Sequence, residues 1–189
     1  CDTIEKCRKL CQMDPKKWPK ATADMAAPAD VTKIPDIPNI VSKNEYVKPE
    51  VIDALRKAGA EAKKNGYKIY VFSGYRSLAN QIKNVCKKFR SNKENEIGKM
   101  VAWPGGSTHG KGNAVAVYED KTGRPIPGSG RSAAMINTLE KIMRKGDFVR
   151  YCREFWHFEL GTAGTPCRPD SLSDYCPRPY KKPLSKMCR

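Results

Sequence analysis

The sequence predicts an α+β fold: a small antiparallel sheet with flanking helices, extended at both ends by segments that disulfides staple to it. Three observations predict it. Between residues 49 and 160, apolar residues at helical spacing separate short β-rich runs, so helices precede and divide the strands. Pro15, Pro19, Pro28, Pro35 and Pro38 crowd the start of the chain, and Pro166, Pro169, Pro177, Pro179 and Pro183 crowd its end. Proline fixes φ and lacks an amide donor, so both ends are expected to be extended and irregular. The third observation is the cysteine content: there are 8, widely spaced, in a chain of 189 residues. That length suits one domain with a real core. The expected organisation is an N-terminal arm over 1–39, a central domain over 40–162 and a C-terminal tail over 163–189.

The elements follow in order. Pro49 suits a first helical position, Val51, Ile52, Leu55, Ala58 and Ala62 form a stripe, and Gly66 stops a helix running from Pro49 to Asn65. Tyr67 to Phe72 reads as a strand. Ser77 can cap a second helix that carries Leu78, Ile82, Val85 and Phe89. Asn113 to Tyr118 reads as a strand with Ala114, Ala116 and Tyr118 on one face. Ser132 can cap a third helix with Met135, Ile136, Leu139, Ile142 and Met143, ending at Gly146. Phe148 to Cys152 and Phe155 to Leu160 complete the sheet.

Cys1, Cys7 and Cys11 fall in the arm, Cys86 and Cys152 in the middle, and Cys167, Cys176 and Cys188 in the tail. Structural zinc clusters use close pairs such as C-x-x-C, which these spacings do not resemble. Disulfides in an exported protein, periplasmic or secreted, are the expected use. If all eight pair, each end sends at least one bridge outside itself. Each bridge stabilises by roughly 2–4 kcal/mol, mainly by restricting the unfolded chain. No signal peptide is visible, so a mature or trimmed form is expected. Cys1 at the start admits a lipid on its thiol, which complete pairing of the cysteines would argue against. No apolar run approaches membrane-spanning length.

Lys and Arg number 36 against 20 Asp and Glu, a net charge of +16. Such a field favours polyanions: nucleic acid, anionic lipid surfaces or acidic cell-wall polymers. Scattered lysines are also an ordinary solvated surface. There is no recognisable nucleic-acid motif, and disulfides point away from the compartment that holds most nucleic acid, so no specific nucleic-acid partner is expected.

Three short motifs carry chemistry. Ser73-Gly74-Tyr75-Arg76-Ser77, followed by Gln81, lies between a strand and a helix N-terminus, where an anion is readily held and Arg76 can grip a carboxylate through two bonds. Pro104 to His109 is a tight turn that feeds a strand, and its glycines allow close backbone approach. Glu154-Phe155-Trp156-His157 puts a carboxylate three residues before a histidine. The chain has only 2 histidines, His109 and His157, which raises the weight of each. A zinc hydrolase needs neutral imidazole ligands and a nearby carboxylate that is not a ligand. Each motif alone also has an ordinary structural explanation: a surface arginine, a loop, an aromatic core strand.

Together and in this order, over roughly residues 67–160, the motifs resemble the VanY-like zinc D,D-carboxypeptidases and related peptidoglycan peptidases. Those families show S-G-Y-R-S with a downstream Gln, then S-x-H-x-x-G-x-A-x-D, then E-x-W-H. The resemblance implies that residues 40–162 form a peptidase-like catalytic domain. It implies zinc ligation by His109 and His157, and a general base for water at Glu154. It implies substrate carboxylate binding by Arg76, with Gln81 and Ser107 in support. The substrate implied is a peptidoglycan stem peptide cut next to a D-amino acid, by a carboxypeptidase or an endopeptidase. A strongly basic protein also suits an anionic cell wall.

One position departs from the pattern. The family aspartate falls where this chain has Ala116, and alanine cannot ligate a metal. Glu119 and Asp120 follow closely, but strand register argues against either replacing it, although Asp120 shares the strand face. Zinc is therefore expected to be weakly bound or absent. Two explanations stand: a deliberate Asp→Ala change that abolishes activity, or a natural non-catalytic protein for wall binding or signalling on the same scaffold. The first is favoured because the other catalytic positions, Glu154 included, are intact. Hedgehog-type signalling domains resemble the fold and illustrate the second.

Overall fold

The structure is a computed structural model that describes residues 1–20, 30–98, 101–119, 133–151 and 154–161. It begins with a helix, α1 (Ile4–Gln12), where an irregular arm was expected. The physical reason is local. The first proline is Pro15, so nothing interrupts the preceding residues, and the Thr3 side chain caps the helix by accepting from the Lys6 amide. The Cys11–Cys86 disulfide then joins α1 to the core, while Cys1 pairs with Cys7. The Cys1 sulfur is thus committed to a disulfide and is not the free thiol that lipidation needs. Cys152, Cys167, Cys176 and Cys188 lie outside the described residues, as do the tail and Ser132.

Three short strands follow that the sequence does not announce: β1 (Thr32–Lys33), β2 (Ile40–Ser42) and β3 (Tyr46–Val47). Two or three residues are too few to show a period. Helix α2 (Pro49–Lys64) ends one residue early, with Asn65 as its cap and Gly66 in the left-handed region at φ 73°. The Tyr67 amide still bonds the Ala62 carbonyl in this cap, which delays strand β4 to Ile69–Ser73. Helix α3 (Leu78–Arg90) is capped by Ser77, as expected, with its side chain accepting from the Asn80 amide. Strand β5 (Ala114–Glu119) precedes helix α4 (Ala133–Arg144), which stops before Gly146. Strands β6 (Phe148–Arg150) and β7 (His157–Leu160) follow. The latter starts at His157 because Glu154 to His157 forms a turn, with the His157 amide bonded to the Glu154 carbonyl.

The main sheet runs β2-β4-β5-β7-β6, and β1 pairs with β3 in a separate antiparallel ribbon. The main sheet is mixed, not wholly antiparallel: β2 lies parallel to β4. A parallel pair requires a long crossover, and α2 supplies it. Val51, Leu55, Ala58 and Ala62 of α2 and Leu139, Ile142 and Met143 of α4 cover one face of the sheet. They meet Ile69, Val71, Val115, Val117 and Phe158, each of which contributes about 1.5–3 kcal/mol if large and fully buried. Alternation sends Tyr70, Phe72, Ala116, Tyr118, His157 and Glu159 to the other face. Tyr70 and Tyr118 pair in register there and stack with centroids 5.2 Å apart. This second face is the floor of a cleft. Helix α3 and its disulfide-linked α1 form one of its supports.

Candidate functional site

The loop from β4 into α3 carries Arg76. Gly74 is required there because a Cβ would stand 2.4 Å from the Tyr46 carbonyl oxygen. The guanidinium is held from behind: Nη1 donates to Gln81 Oε1 at 3.1 Å and Nη2 to Ser73 Oγ at 3.1 Å. Gln81 in turn donates to the Ala102 carbonyl at 2.6 Å and is only 2% exposed. Gln81 therefore supports Arg76 and is not part of the cleft lining. Burial disfavours the charged guanidinium and lowers its pKa, while Glu154 and Glu45 oppose that shift.

His109 sits in a 3₁₀ turn, Thr108–Lys111, closed by Gly112 at φ 71°. The ring is 3% exposed. Its Nδ1 lies 2.6 Å from the Gly74 carbonyl, so Nδ1 carries the proton and Nε2 is left as a bare acceptor. Burial, then the neighbouring His157 and Arg76, push its pKa down to about 3, which keeps the imidazole neutral.

Strand pairing delivers the second histidine. Ala116 of β5 lies opposite His157 of β7, and the His109 and His157 rings meet edge to face, centroids 4.8 Å apart. His157 Nδ1 is 3.6 Å from Glu154 Oε2. Its Nε2 is 3.2 Å from both Thr108 Oγ1 and Glu159 Oε1. Burial raises the Glu154 carboxyl, with His157 and Arg76 opposing the shift. Arg76, Ser107, His109, Ala116, Glu154 and His157 all line one cleft of about 1060 Å³. The three sequence motifs thus converge.

Sequence reasoning missed Thr108, Glu159 and Glu45. Glu159 had a signal: two residues past His157 on a strand is the same face. Thr108, next to His109 in the turn, and Glu45, distant in sequence, had none.

A zinc centre of the His-carboxylate-His kind needs three protein donors around one point. His109 offers a bare Nε2 and His157 a second imidazole, but Ala116 supplies no donor at the strand position facing His157. Among the described residues, no group of three or more His, Cys, Asp or Glu side chains gathers to hold a metal. The Glu119 side chain and Asp120 lie outside the described residues. The described donors therefore do not make up the three-ligand set that hydrolytic zinc sites use.

Comparison with known proteins gives a consistent result. The family model described as VanY, D-alanyl-D-alanine carboxypeptidase, matches residues 44–159. YodJ of Bacillus subtilis (strain 168), a protein named as a carboxypeptidase, is 31% identical over 126 residues, 61% of this chain and 46% of that protein. The chain thus spans about half the length of that curated relative. The solved LdcB LD-carboxypeptidase superposes with a TM-score of 0.61 at 28% identity, covering 74% of this chain and 72% of that one. The VanY D,D-pentapeptidase of a VanB-type resistance cassette, solved as a mutant with Zn(II), superposes with a TM-score of 0.54 over 87% of this chain and 94% of that one. At 18% identity, that second likeness is one of fold.

Proposed function

The chain belongs to the VanY D-alanyl-D-alanine carboxypeptidase family, and from that premise we propose that its cleft binds a peptidoglycan stem peptide next to a D-amino acid. The observation that carries this reading is Arg76. Its guanidinium is braced by Gln81 and Ser73 while it lines the same cleft as His109, Glu154 and His157. A braced guanidinium suits a carboxylate through two parallel bonds. A terminal carboxylate there makes the site a carboxypeptidase, and a side-chain carboxylate makes it an endopeptidase. Ser107 lines the cleft as a further polar contact.

Glu154, with its pKa raised by burial, is suited to accept a proton from an attacking water and pass it to the leaving amine. His109 and His157 would be two zinc ligands of the family site. Without a carboxylate at Ala116, the chain as it stands binds its peptide far better than it cleaves it. Its net charge of +16 suits retention on anionic wall polymers, and its disulfides suit an exported location. Among the described residues, no helix is long and apolar enough to cross a membrane.

The test is Ala116→Asp. Zinc affinity should rise by more than about 100-fold, since even outer partners of metal ligands are worth roughly 10–100-fold. D-alanine should then be released from muropeptides. A zinc-loaded A116D protein that releases nothing from any muropeptide would sink the enzymatic reading. The second reading, a non-catalytic wall-binding or signalling protein, is favoured by Ala116 itself. It expects muropeptide binding that ignores chelators, and a native gene that encodes alanine at this position.

A further inference from the structure

Glu45 belongs to none of the three motifs, yet its carboxylate reaches the loop that carries Arg76. Glu45 Oε2 accepts from the Gly74 amide at 2.7 Å across a separation of 29 residues. Gly74 is the residue whose carbonyl accepts the hydrogen bond from His109 Nδ1–H. The next amide, Tyr75 N–H, donates to the Tyr46 carbonyl at 2.6 Å, and the Arg76 amide donates to the His109 carbonyl at 3.0 Å. Glu45 is itself held in place. The Ile34 amide donates to its carbonyl at 2.9 Å, and Ile34 is a core residue.

We propose that Glu45 is a positioning residue for the substrate-binding wall: by holding Gly74, it sets both the tautomer of His109 and the aim of Arg76. This deepens the reading of Arg76 as the carboxylate grip and rests on it. Three consecutive residues, Gly74, Tyr75 and Arg76, present their amides to three fixed acceptors. Tyr46 O and His109 O are backbone atoms whose places follow from the strands and turns around them. Glu45 Oε2 is the side-chain member of the set, so a point mutation can remove it alone. Hydrogen bonds to charged acceptors are shorter and roughly twice as strong as neutral ones. Without it, the Gly74 amide loses a charged acceptor, and the next peptide unit, which carries the Gly74 carbonyl, keeps only the Tyr75 bond to Tyr46 to hold its angle toward His109. Both motif residues then lose one of their shared anchors. Glu45 and Tyr46, at the entry to strand β3, thus form a bracket for the site.

The test uses the full chain and D-alanyl-D-alanine as probe. Two quantities are read: the dissociation constant, and the downfield proton resonance of the His109 Nδ1–H in nitrogen-labelled protein. Glu45→Ala should weaken binding about tenfold, equivalent to roughly 1.4 kcal/mol. It should also shift or broaden the His109 signal. Glu45→Gln keeps an oxygen for the Gly74 amide and should restore the signal. Glu45→Asp, shorter by one methylene, carries the same test should the alanine variant not fold, with a severalfold loss expected. An unchanged His109 signal in folded Glu45→Ala or Glu45→Asp overturns the proposal. If Arg76→Ala leaves probe binding intact, the reading of Arg76 fails, while the His109 resonance still judges Glu45 independently.

Discussion

The two sides of the cleft are built to different standards. On the Arg76 side the groups that position the guanidinium have partners that fix them. Gln81 and Ser73 brace the guanidinium, Glu45 and Tyr46 hold the loop, and the Cys11–Cys86 disulfide ties α3 to α1 behind it. On the histidine side, β5 and β7 place His157 as carefully, but the residue that faces it is Ala116. The difference bears on the proposed function, in which recognition and turnover are separable. Holding a carboxylate needs a rigid cation, which Arg76 supplies. A hydrolytic zinc site needs three protein ligands on one point, and no such group gathers among the described residues.

The strongest way to break the comparison is to undo the bracing. Reducing or deleting the Cys11–Cys86 disulfide, which spans 75 residues, should cost roughly 4 kcal/mol on the loop-entropy model. Thermal unfolding measures the loss. Hydrogen exchange should rise first in α1 and α3, not in β5 and β7. Equal deprotection of the sheet would show that the two sides are not separate units.

Arg76→Ala should come next, lowering affinity for D-alanyl-D-alanine by about 1.5–3 kcal/mol, the usual worth of a hydrogen bond to a charged group. Calorimetry reads this directly, and the fold should persist. Gly74→Ala attacks the same wall through shape. Its new Cβ would meet the Tyr46 oxygen at 2.4 Å, so stability should fall by about 1–3 kcal/mol, with probe binding impaired in the folded fraction. Gln81→Ala should have the smallest effect, about 1 kcal/mol in probe affinity, because Ser73 still braces the second guanidinium nitrogen. A larger loss for Gln81→Ala than for Arg76→Ala would invert the assigned roles.

Much of the candidate site was legible in the chain. Arg76, His109, Glu154 and His157 stand in motifs whose residue types announce their chemistry, and all four line one cleft. Helices α2 and α3 were legible because each has a stripe, a start signal and a stop. Helix α1 was not, because the prolines that mark the arm begin only after it ends. The parallel strand β2 escaped because three residues carry no periodicity. Glu45 escaped because nothing local to it is unusual: a glutamate on a loop before a two-residue strand is ordinary until Gly74 arrives beside it.

What the sequence determined by itself is therefore chemical: the order of the motifs, the cation at Arg76, and the absence of a donor at Ala116. A side chain's capacity to donate, accept or ligate is a property of the residue and needs no fold. What only the tertiary structure decided is convergence. His109 meets the Gly74 carbonyl across 35 residues, Glu45 meets the Gly74 amide across 29, and Ala116 faces His157 through strand register. These contacts depend on how the strands align. A one-residue slip would turn His157 to the helix-covered face and leave every motif intact but apart.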